Sequence, residues 1–407
     1  KLRPVTTIRL VLLGAKGSGK TSALNTILCR ENRQRSGRTA QCSVGEGVVF
    51  GRQVTIVDTP GWWMNYFCNE TPLFDQREMV LSLSLCPPGP HVFLLVIRVD
   101  RAFTETYRRA AQEHLELISE QIWSHAILLF SFGDWLGGTT TEQFIESEGE
   151  PLQWLVEKCS NRYHVLNNKT KGDGFQVREL IGKIEEAMSG CNRSWHYEIE
   201  RKELDEMKRR MKEETERANE RLMRKEKQRL VEQSELGKTV SVLDTPGCFP
   251  VSSEFLRTSS AVLLVVNVST SFTDLHREAI EKQLDGGRSQ LWKRAMVLFS
   301  YGDWLGDTSI EQRIESEGEP LQRLVEQCGN RYHVMDNKNQ GDGAQVTELI
   351  ELVEEMLATQ RLADLYNGNH MWKRVCSAEE RQTDAILCKR NLQKQINRRH
   401  RLSLDCK

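Results

Sequence analysis

The feature that most constrains the fold of this 407-residue chain is a long internal duplication. Residues 130–169 and 299–338 are identical at 30 of 40 aligned positions, with an offset of 169 residues. This indicates duplicated domains, because the units of a solenoid span only about 20–50 residues. The duplication extends upstream to VTIVDTPG at 54–61 and VSVLDTPG at 240–247, where the offset is 186 residues. The second copy is therefore shorter, and the piece it lacks comes from the region 62–91.

The predicted strands of the first copy are short, continuous apolar runs, as expected for parallel strands covered on both faces. The runs are Ile8–Leu13, Val54–Asp58, Val92–Ile97, Ala126–Phe130 and Tyr163–Leu166. Helical stretches alternate with them, at Thr21–Cys29, Glu105–Ile118, Thr141–Cys159 and Gln176–Met188. This alternation predicts an α/β fold with a mostly parallel sheet.

The motif with the most specific chemistry is GAKGSGKT at 14–21, which follows the first predicted strand and opens a helix. Glycines let successive backbone N–H groups face one anion, and the helix N-terminus adds its dipole. We expect Lys20 to reach the β- and γ-phosphates of a nucleotide, and the Thr21 hydroxyl to bind Mg²⁺. The predicted nucleotide-binding residues here are Gly14, Ala15, Lys16, Gly17, Ser18, Gly19, Lys20, Thr21 and Ser22.

A second phosphate-site motif, Asp58-Thr59-Pro60-Gly61, follows a predicted strand and begins 38 residues after Lys20. The Asp58 carboxylate can hold Mg²⁺ through water, and the Gly61 N–H can bond the γ-phosphate. Thr39 lies in the intervening loop, where it either completes the Mg²⁺ shell or is a solvent-exposed loop residue. The predicted metal ligands are Thr21, Thr39 and Asp58.

The base-recognition signature Asn-Lys-x-Asp is absent, and FSFGD at 130–134 stands in its place. A carboxylate at Asp134 can accept the N1–H and N2–H of guanine but repels the acceptor edge of adenine, which favours GTP over ATP. The alternative for Asp134 is a helix N-cap. Asn167, with Asn168 and Lys169, follows the last strand and can supply amide contacts to the base edge.

The residue after DTPG bears on hydrolysis. In many GTPases a Gln at this position orients the attacking water, whereas here Trp62 and Trp63 follow. An indole cannot both donate to and accept from a water, so we expect slow hydrolysis. The pair of tryptophans either forms a nucleotide-dependent contact surface or packs in the local core.

GAKGSGKT, Thr39, DTPGWW, FSFGDWL and CSNRYHVLNNK together resemble the GTPases of immunity-associated proteins, with their AIG-type G domain. The resemblance covers about residues 5–190 in the first copy, and Leu85–Val99 corresponds to the family's own conserved box in diverged form. It implies GTP or GDP with Mg²⁺ as ligands. It also implies slow turnover, pairing of chains through the nucleotide face, and a cytoplasmic location with peripheral contact to organelle membranes.

Two functions stay open from the sequence. The first is a guanine-nucleotide-binding protein whose nucleotide state controls self-association or a scaffold. The second is a true GTPase enzyme that is activated by dimerisation. No catalytic residue is assigned in either case.

The second copy lacks a phosphate loop. About 38 residues before Asp244 the sequence reads DEMKRRMKEE, and no Gly occurs between 191 and 236. We therefore expect residues 237–360 to bind no nucleotide and to act as an interaction lobe. Since the first strand is also missing, this copy folds incompletely, borrows a strand, or packs on the first copy. The predicted domains are the G domain 5–190, a charged linker 191–236, the truncated repeat 237–360 and a basic tail 361–407.

The linker and the C-terminal tail differ from the rest of the chain in their content of charged residues. From Glu198 to Arg229, 22 of 32 residues are charged, which predicts a long solvated helix or a weak coiled coil. Residues 389–401 are basic and can contact an anionic membrane or a partner, or form a solvated end. The whole chain has a net charge of −1, which gives no field to attract nucleic acid. The longest apolar runs are too short for a membrane span.

Overall fold

The protein is described here from a computed structural model, which covers residues 6–30, 38–167, 174–189, 196–197, 201–229, 259–284, 291–338 and 343–368. The chain forms two compact units, Lys1–Glu351 and Leu352–Lys407. The first unit contains the first copy and the second copy up to Glu351. Of the second unit the structure describes residues 352–368, which are helical.

In the described residues the first copy is built on a six-stranded sheet, and the apolar runs predict five of its strands. Its strands are Thr7–Leu13 (β1), Ser43–Val49 (β2), Arg52–Asp58 (β3), Val92–Arg98 (β4), Ala126–Ser131 (β5) and Tyr163–Val165 (β6). They lie in the order β2-β3-β1-β4-β5-β6, and all neighbouring pairs are parallel except β2 and β3. The central strands are covered on both faces, so most of their side chains are buried.

The antiparallel edge strand β2 is missing from the sequence prediction. Its sequence, SVGEGVV, contains two glycines, which weaken a strand signal. Gly45 is required by a close approach, because a Cβ there would lie 2.9 Å from a methyl carbon of Leu28. The strand therefore makes room for the helix that follows the phosphate loop, and Val48 on its outer face is 72% exposed.

In the described part of the first copy, six α-helices cover this sheet. They are Lys20–Ile27 (α1), Leu73–Leu81 (α2), Glu105–Glu116 (α3), Thr141–Glu148 (α4), Glu150–Lys158 (α5) and Phe175–Ser189 (α6). The prediction of one helix over Thr141–Cys159 is wrong, because the chain breaks at Gly149, where φ is +81°. Pro151 then opens the next helix, a position that suits its fixed φ and missing N–H.

The charged segment between the copies forms one long helix, Arg201–Arg229 (α7). It is fixed to both copies by ion pairs. Glu214 pairs with Arg77 of α2, and Arg221 pairs with Glu315 of the second copy. Ala218 lies on the packed side and is 1% exposed. This helix is therefore a structural bridge between the copies, and its coiled-coil character stays a prediction.

The second copy keeps the β4-β5-β6 half of the first sheet. Its parallel strands Val262–Asn267 (β7), Ala295–Ser300 (β8) and Tyr332–Val334 (β9) lie in that order. Its helices are Asp274–Leu284 (α8), Ile310–Glu317 (α9), Glu319–Gln327 (α10) and Ala344–Gly368 (α11). Residues 240–247, with the second DTPG, lie outside the described residues. Counterparts of β1 to β3 are absent from residues 259–284 and 291–338.

Of the three predicted ways to complete this lobe, the described residues support packing on the first copy. The Ser271 N–H donates to the Glu70 carbonyl at 2.8 Å, and the Leu73 N–H donates to the Glu317 carboxylate at 3.3 Å. Both groups of the first copy lie in the region 62–91, where the second copy is shorter. In the described ranges, every helix is too short or too polar to cross a bilayer.

Candidate nucleotide and magnesium site

The predicted phosphate loop connects the end of β1 to the start of α1, in the middle of the sheet. Its three glycines, Gly14, Gly17 and Gly19, have positive φ. At Gly14 a Cβ would lie 2.6 Å from the carbonyl oxygen of Val96, so only glycine fits beside β4. The carbonyl of Ser18 accepts a hydrogen bond from the Ser131 hydroxyl at 2.5 Å, which ties the loop to the end of β5. Ser22 follows in the first turn of α1.

Lys20 is turned into the loop. It is 6% exposed, and its Nζ donates to the carbonyls of Gly14 at 2.8 Å and Ala15 at 3.1 Å. Burial lowers the pKa of Lys20 to about 8, although the nearby Asp58 opposes this shift. A buried ammonium that bonds to neutral carbonyls is favourably placed for an anion such as phosphate.

The three predicted metal ligands converge at one point beside the loop. The Thr21 hydroxyl donates to Asp58 Oδ2 at 2.5 Å, and the Thr39 hydroxyl lies 3.3 Å from the same oxygen. The two hydroxyl oxygens are 3.4 Å apart. One carboxylate with two hydroxyls fits Mg²⁺, which usually keeps several waters and completes its shell with phosphate oxygens. No group of three or more His, Cys, Asp or Glu side chains is placed to hold a metal in the described ranges.

The DTPG segment lies directly against the phosphate loop. The Lys16 N–H donates to the Trp62 carbonyl at 2.6 Å, and Thr59 is anchored to β1 through the Leu12 carbonyl at 2.7 Å. A Cβ at Gly61 would lie 2.6 Å from Lys20 Nζ and 2.7 Å from Lys16 N. Only glycine permits this contact, so Gly61 allows the DTPG segment to pack directly against the phosphate loop.

The two tryptophans after DTPG have different environments. Trp62 is 1% exposed and stacks on His114, with ring centroids 4.4 Å apart and planes at 7°. Trp63 instead stacks on Trp304 of the second copy, at 4.8 Å and 19°. The core interpretation therefore holds for Trp62. Trp63 packs between the two copies, and a nucleotide-dependent contact surface stays a prediction.

The predicted base-binding residues lie at the carboxyl ends of β5 and β6. Asp134 is inside the 3₁₀ helix Gly133–Leu136, whose N-cap is Phe132, so Asp134 is not the N-cap residue. The Gly133 N–H donates to the Leu166 carbonyl at 3.1 Å and holds the two strand ends together. The Asn167 backbone exchanges two hydrogen bonds with the Gln176 side chain. Asn168 and Lys169 lie outside the described residues.

The sequence prediction misses a cluster of side chains next to the phosphate loop. Arg38, one residue before Thr39, forms an ion pair with Asp75 at 2.5 Å, and both side chains are about 5% exposed or less. The Trp304 ring lies 3.9 Å from Lys16 Nζ and 4.1 Å from the Arg38 guanidinium. Burial lowers the pKa of Lys16 to about 8. The sequence signal for Trp304 is the GDWL segment. Because this segment occurs in both copies, the sequence does not predict that the copy with Trp304 packs on the other.

Comparison with known proteins places this site in a family. The family model described as AIG1 family matches residues 8–220 and again residues 214–385. The chain belongs to the AIG1 family. The second match includes the copy without a phosphate loop.

Curated relatives of this AIG1 chain carry nucleotide-related names. It is 31% identical over 196 residues to the human GTPase IMAP family member 8, covering 46% of this chain and 29% of the relative. It is 27% identical over 188 residues to the Arabidopsis thaliana immune-associated nucleotide-binding protein 12, covering 44% and 47%. The matched region thus spans less than half of either relative.

Among solved structures, Toc33 from Arabidopsis thaliana in complex with GDP and Mg²⁺ is 15% identical, with a TM-score of 0.39. The match covers 47% of this chain and 88% of that chain. A dimerisation-deficient mutant of Toc33 gives 16% identity and the same TM-score of 0.39, again over 47% of this chain and 88% of that chain.

Proposed function

We propose that the first copy binds GTP and GDP with Mg²⁺, hydrolyses GTP slowly, and uses its nucleotide state to control association. The observation that carries this proposal is the convergence of Thr21, Thr39 and Asp58 beside a glycine loop with a buried lysine. In the proposed complex, backbone N–H groups of residues 14–21 and Lys20 hold the phosphates. Membership in the AIG1 family supports the same ligands.

Guanine preference is proposed to come from Asp134. Its position after β5, beside the end of β6, is where a base would lie when the phosphates occupy the loop at the end of β1. A carboxylate accepts two guanine N–H groups and has no donor for adenine. Asn167 is the proposed second contact to the base.

Slow hydrolysis is proposed because the side chain after DTPG, Trp62, packs in the core and does not face the phosphate site. Trp62 is buried against His114 and cannot orient a water. Lys20 and Mg²⁺ would still stabilise charge on the transferred phosphoryl group, so the rate is not zero. The alternative, a GTPase enzyme activated by dimerisation, is distinguished by single-turnover hydrolysis at rising protein concentration. A rate that increases with concentration supports catalysis across a dimer.

The binding proposal is tested by titrating the full chain with fluorescent GDP and GTP. Lys20→Ala removes the side-chain cation that faces the phosphates and should reduce affinity by about a hundredfold or more, the loss expected for a charge-assisted contact of about 3 kcal/mol. Lys158→Ala, at an exposed position in the last turn of α5, is the matched control and should bind like the wild type. Equal affinity in wild type and Lys20→Ala would falsify the assignment of the loop.

The remaining proposals concern the rest of the chain. We propose the domain division 5–190, 191–236, 237–360 and 361–407, with the third segment free of nucleotide and acting as an interaction lobe. The basic segment 389–401 lies outside the described residues and is the proposed contact for an anionic membrane surface. Cytoplasmic location and homo-oligomerisation through the G domain complete the proposed function.

A further inference from the structure

One side chain of the second copy touches every segment that reaches the phosphate site. The Trp304 ring lies 3.9 Å from Lys16 Nζ in the phosphate loop and 4.1 Å from the guanidinium of Arg38, next to Thr39. It also stacks on Trp63, two residues after Gly61. A change in any of these three segments therefore changes the surroundings of Trp304.

Hydrogen bonds fix this ring in its position. Arg38 Nη1 donates to the Trp304 carbonyl at 2.6 Å, and Trp304 Nε1 donates to Asp75 Oδ2 at 3.2 Å. Asp75 in turn pairs with Arg38. The indole is thus held by its ring contacts and by its N–H, and this geometry makes the contact specific for tryptophan.

The duplication supplies an internal control for the burial of Trp304. The equivalent residue of the first copy is Trp135, in the same GDWLG sequence. Trp135 is 64% exposed, whereas Trp304 is 2% exposed. Because the local sequence is the same, the burial of Trp304 comes from docking on the first copy and not from the fold of the motif itself.

The receiving surface lies in the region 62–91, where the second copy is 17 residues shorter. Trp63, Glu70, Leu73 and Asp75 all fall between residues 62 and 91. Ser271 donates its N–H to the Glu70 carbonyl at 2.8 Å, and the carboxylate at position 317 accepts from the Leu73 N–H. In the described residues the docking surface belongs to the first copy, and the motif that docks on it belongs to the second copy.

The DTPG segment, which supports the docked ring through Trp63, holds a backbone donor of the phosphate loop. The Lys16 N–H, which belongs to the anion-binding loop, is bonded to the Trp62 carbonyl at 2.6 Å. A γ-phosphate that accepts from Lys16 and Gly61 would have to take that donor and separate the DTPG segment from the loop. Trp63, which supports Trp304, is covalently bound to Trp62 and would move with it. A nucleoside diphosphate makes no such demand.

We propose that the second copy is a built-in reader of the nucleotide state of the first copy, docked through Trp304 with a nucleoside diphosphate and released by a nucleoside triphosphate. This inference rests on the proposed nucleotide binding by the first copy. Linkage makes the effect reciprocal: if the triphosphate weakens docking, docking weakens triphosphate binding by the same factor.

The test measures the dissociation constants of GDP and of a non-hydrolysable GTP analogue on the full chain. Trp304→Ala should increase affinity for the analogue relative to GDP by about tenfold, a typical coupling between two sites. Trp304→Phe keeps an aromatic face but loses the bond to Asp75, and should have an intermediate effect. Trp135→Ala is the matched control. Any effect of this variant on the base site applies to both nucleotides. The ratio of the two dissociation constants should therefore stay within about twofold of the wild-type ratio, well below a typical coupling.

A second measurement uses the wild type alone and does not depend on the folding of a variant. The N–H groups of Ser271 and Leu73 are bonded across the docking contact, so hydrogen exchange at these two amides reports release. The analogue should accelerate both relative to GDP. Unchanged ratios together with unchanged exchange overturn the reader proposal while leaving nucleotide binding intact. Failure of the wild type to bind either nucleotide overturns the proposed function and the reader with it.

Discussion

The same short sequence, IESEGEP, occurs in both copies and has two different environments. In the first copy Glu146 of α4 is exposed and accepts a hydrogen bond from Gln153. In the second copy Glu315 of α9 has a side chain that is 4% exposed, because α7 covers it with Arg217 and Arg221. What packs against this helix, and not its own sequence, decides whether the glutamate is solvated or buried.

One substitution inside this helix follows the change of environment. Phe144 of the first copy packs on Phe130, with ring centroids 5.8 Å apart. Arg313 stands at the equivalent position and is buried, where it pairs with Glu317 and donates to the carbonyls of Val268 and Thr270. An aromatic core contact has thus been replaced by a satisfied buried ion pair. The second copy thus differs from the first in the polarity of its interior at this position, while the surrounding sequence is kept.

The largest expected effect comes from breaking this ion pair. Arg313→Ala leaves Glu317 buried without its cation and should lower the free energy of unfolding by about 3–5 kcal/mol. The measurement is urea unfolding of the full chain within a double-mutant cycle that also contains Glu317→Ala. The cycle should be strongly non-additive, because the two residues share one interaction. The matched pair Phe144→Ala and Glu148→Ala should be close to additive, and additivity at both sites would contradict the comparison.

A smaller effect is expected when the same glutamate is removed from each copy. Glu315→Ala leaves the Arg221 side chain, which is 11% exposed, without its nearest carboxylate and should cost about 2–3 kcal/mol. Glu146→Ala lies on a solvated surface and should change stability by less than about 0.5 kcal/mol. Thermal melts of both variants check this. Equal losses would show that α7 does not stabilise the second copy.

Asp134 after β5 and Asp303 after β8 are equivalent, and they test whether the two copies differ in nucleotide binding. Asp134→Asn should weaken GTP and GDP binding by about tenfold to a hundredfold, because hydrogen bonds to a charged acceptor contribute about 1.5–3 kcal/mol. It should leave the weak ATP affinity nearly unchanged. Asp303→Asn should leave all nucleotide affinities unchanged, since Asp303 pairs with Lys338 in a copy without a phosphate loop. Parallel titrations with the three nucleotides give the answer, and equal loss of GTP and ATP affinity would count against the role of Asp134.

The smallest effect concerns pH. Burial lowers the pKa of His114 to about 4, and the equivalent residue of the second copy is Gln283. Between pH 4 and the ordinary histidine pKa of about 6.5, the unfolded chain binds more protons than the folded chain. The contribution of His114 to stability is therefore complete above about pH 6.5 and falls with decreasing pH, by at most about 1.4 kcal/mol per pH unit for one histidine.

The check on this pH effect is a single variant that copies the second repeat. His114→Gln should lose stability less steeply than the wild type between about pH 6.5 and about pH 4 in thermal melts. Parallel pH profiles for the two proteins would refute the role of His114 in acid sensitivity.

The sequence predicts the part of the fold that depends on local patterns. Strands β1, β3, β4, β5 and β6 follow from apolar runs because a strand buried on both faces needs them. The edge strand β2 escapes detection because it is half exposed and carries glycines that serve packing by α1. Gly149 and the nearby Pro151 indicate the break between the two helices. The helical periodicity on both sides makes this signal easy to miss.

The site divides in the same way. The positions of Gly14–Thr21, Asp58 and Asp134 relative to the strands follow from motif and order, because parallel strands bring their carboxyl ends to one edge. Arg38 and Asp75 could not be predicted as part of it. They matter only because Trp304 lies against them, and a contact between residues 266 positions apart leaves no local pattern.

Helix α7 ties the docked lobe covalently to the site that it covers, and its 29 helical residues span about 44 Å. A partner carried on the same chain is present at a fixed local concentration, typically millimolar for short tethers, whatever amount of protein a cell contains. Docking is then a unimolecular equilibrium, and the docked fraction does not depend on the protein concentration. A separate chain binding the same face would have to exceed that local concentration before it could replace Trp304. The duplication thereby converts an encounter that depends on abundance into a property of each molecule alone.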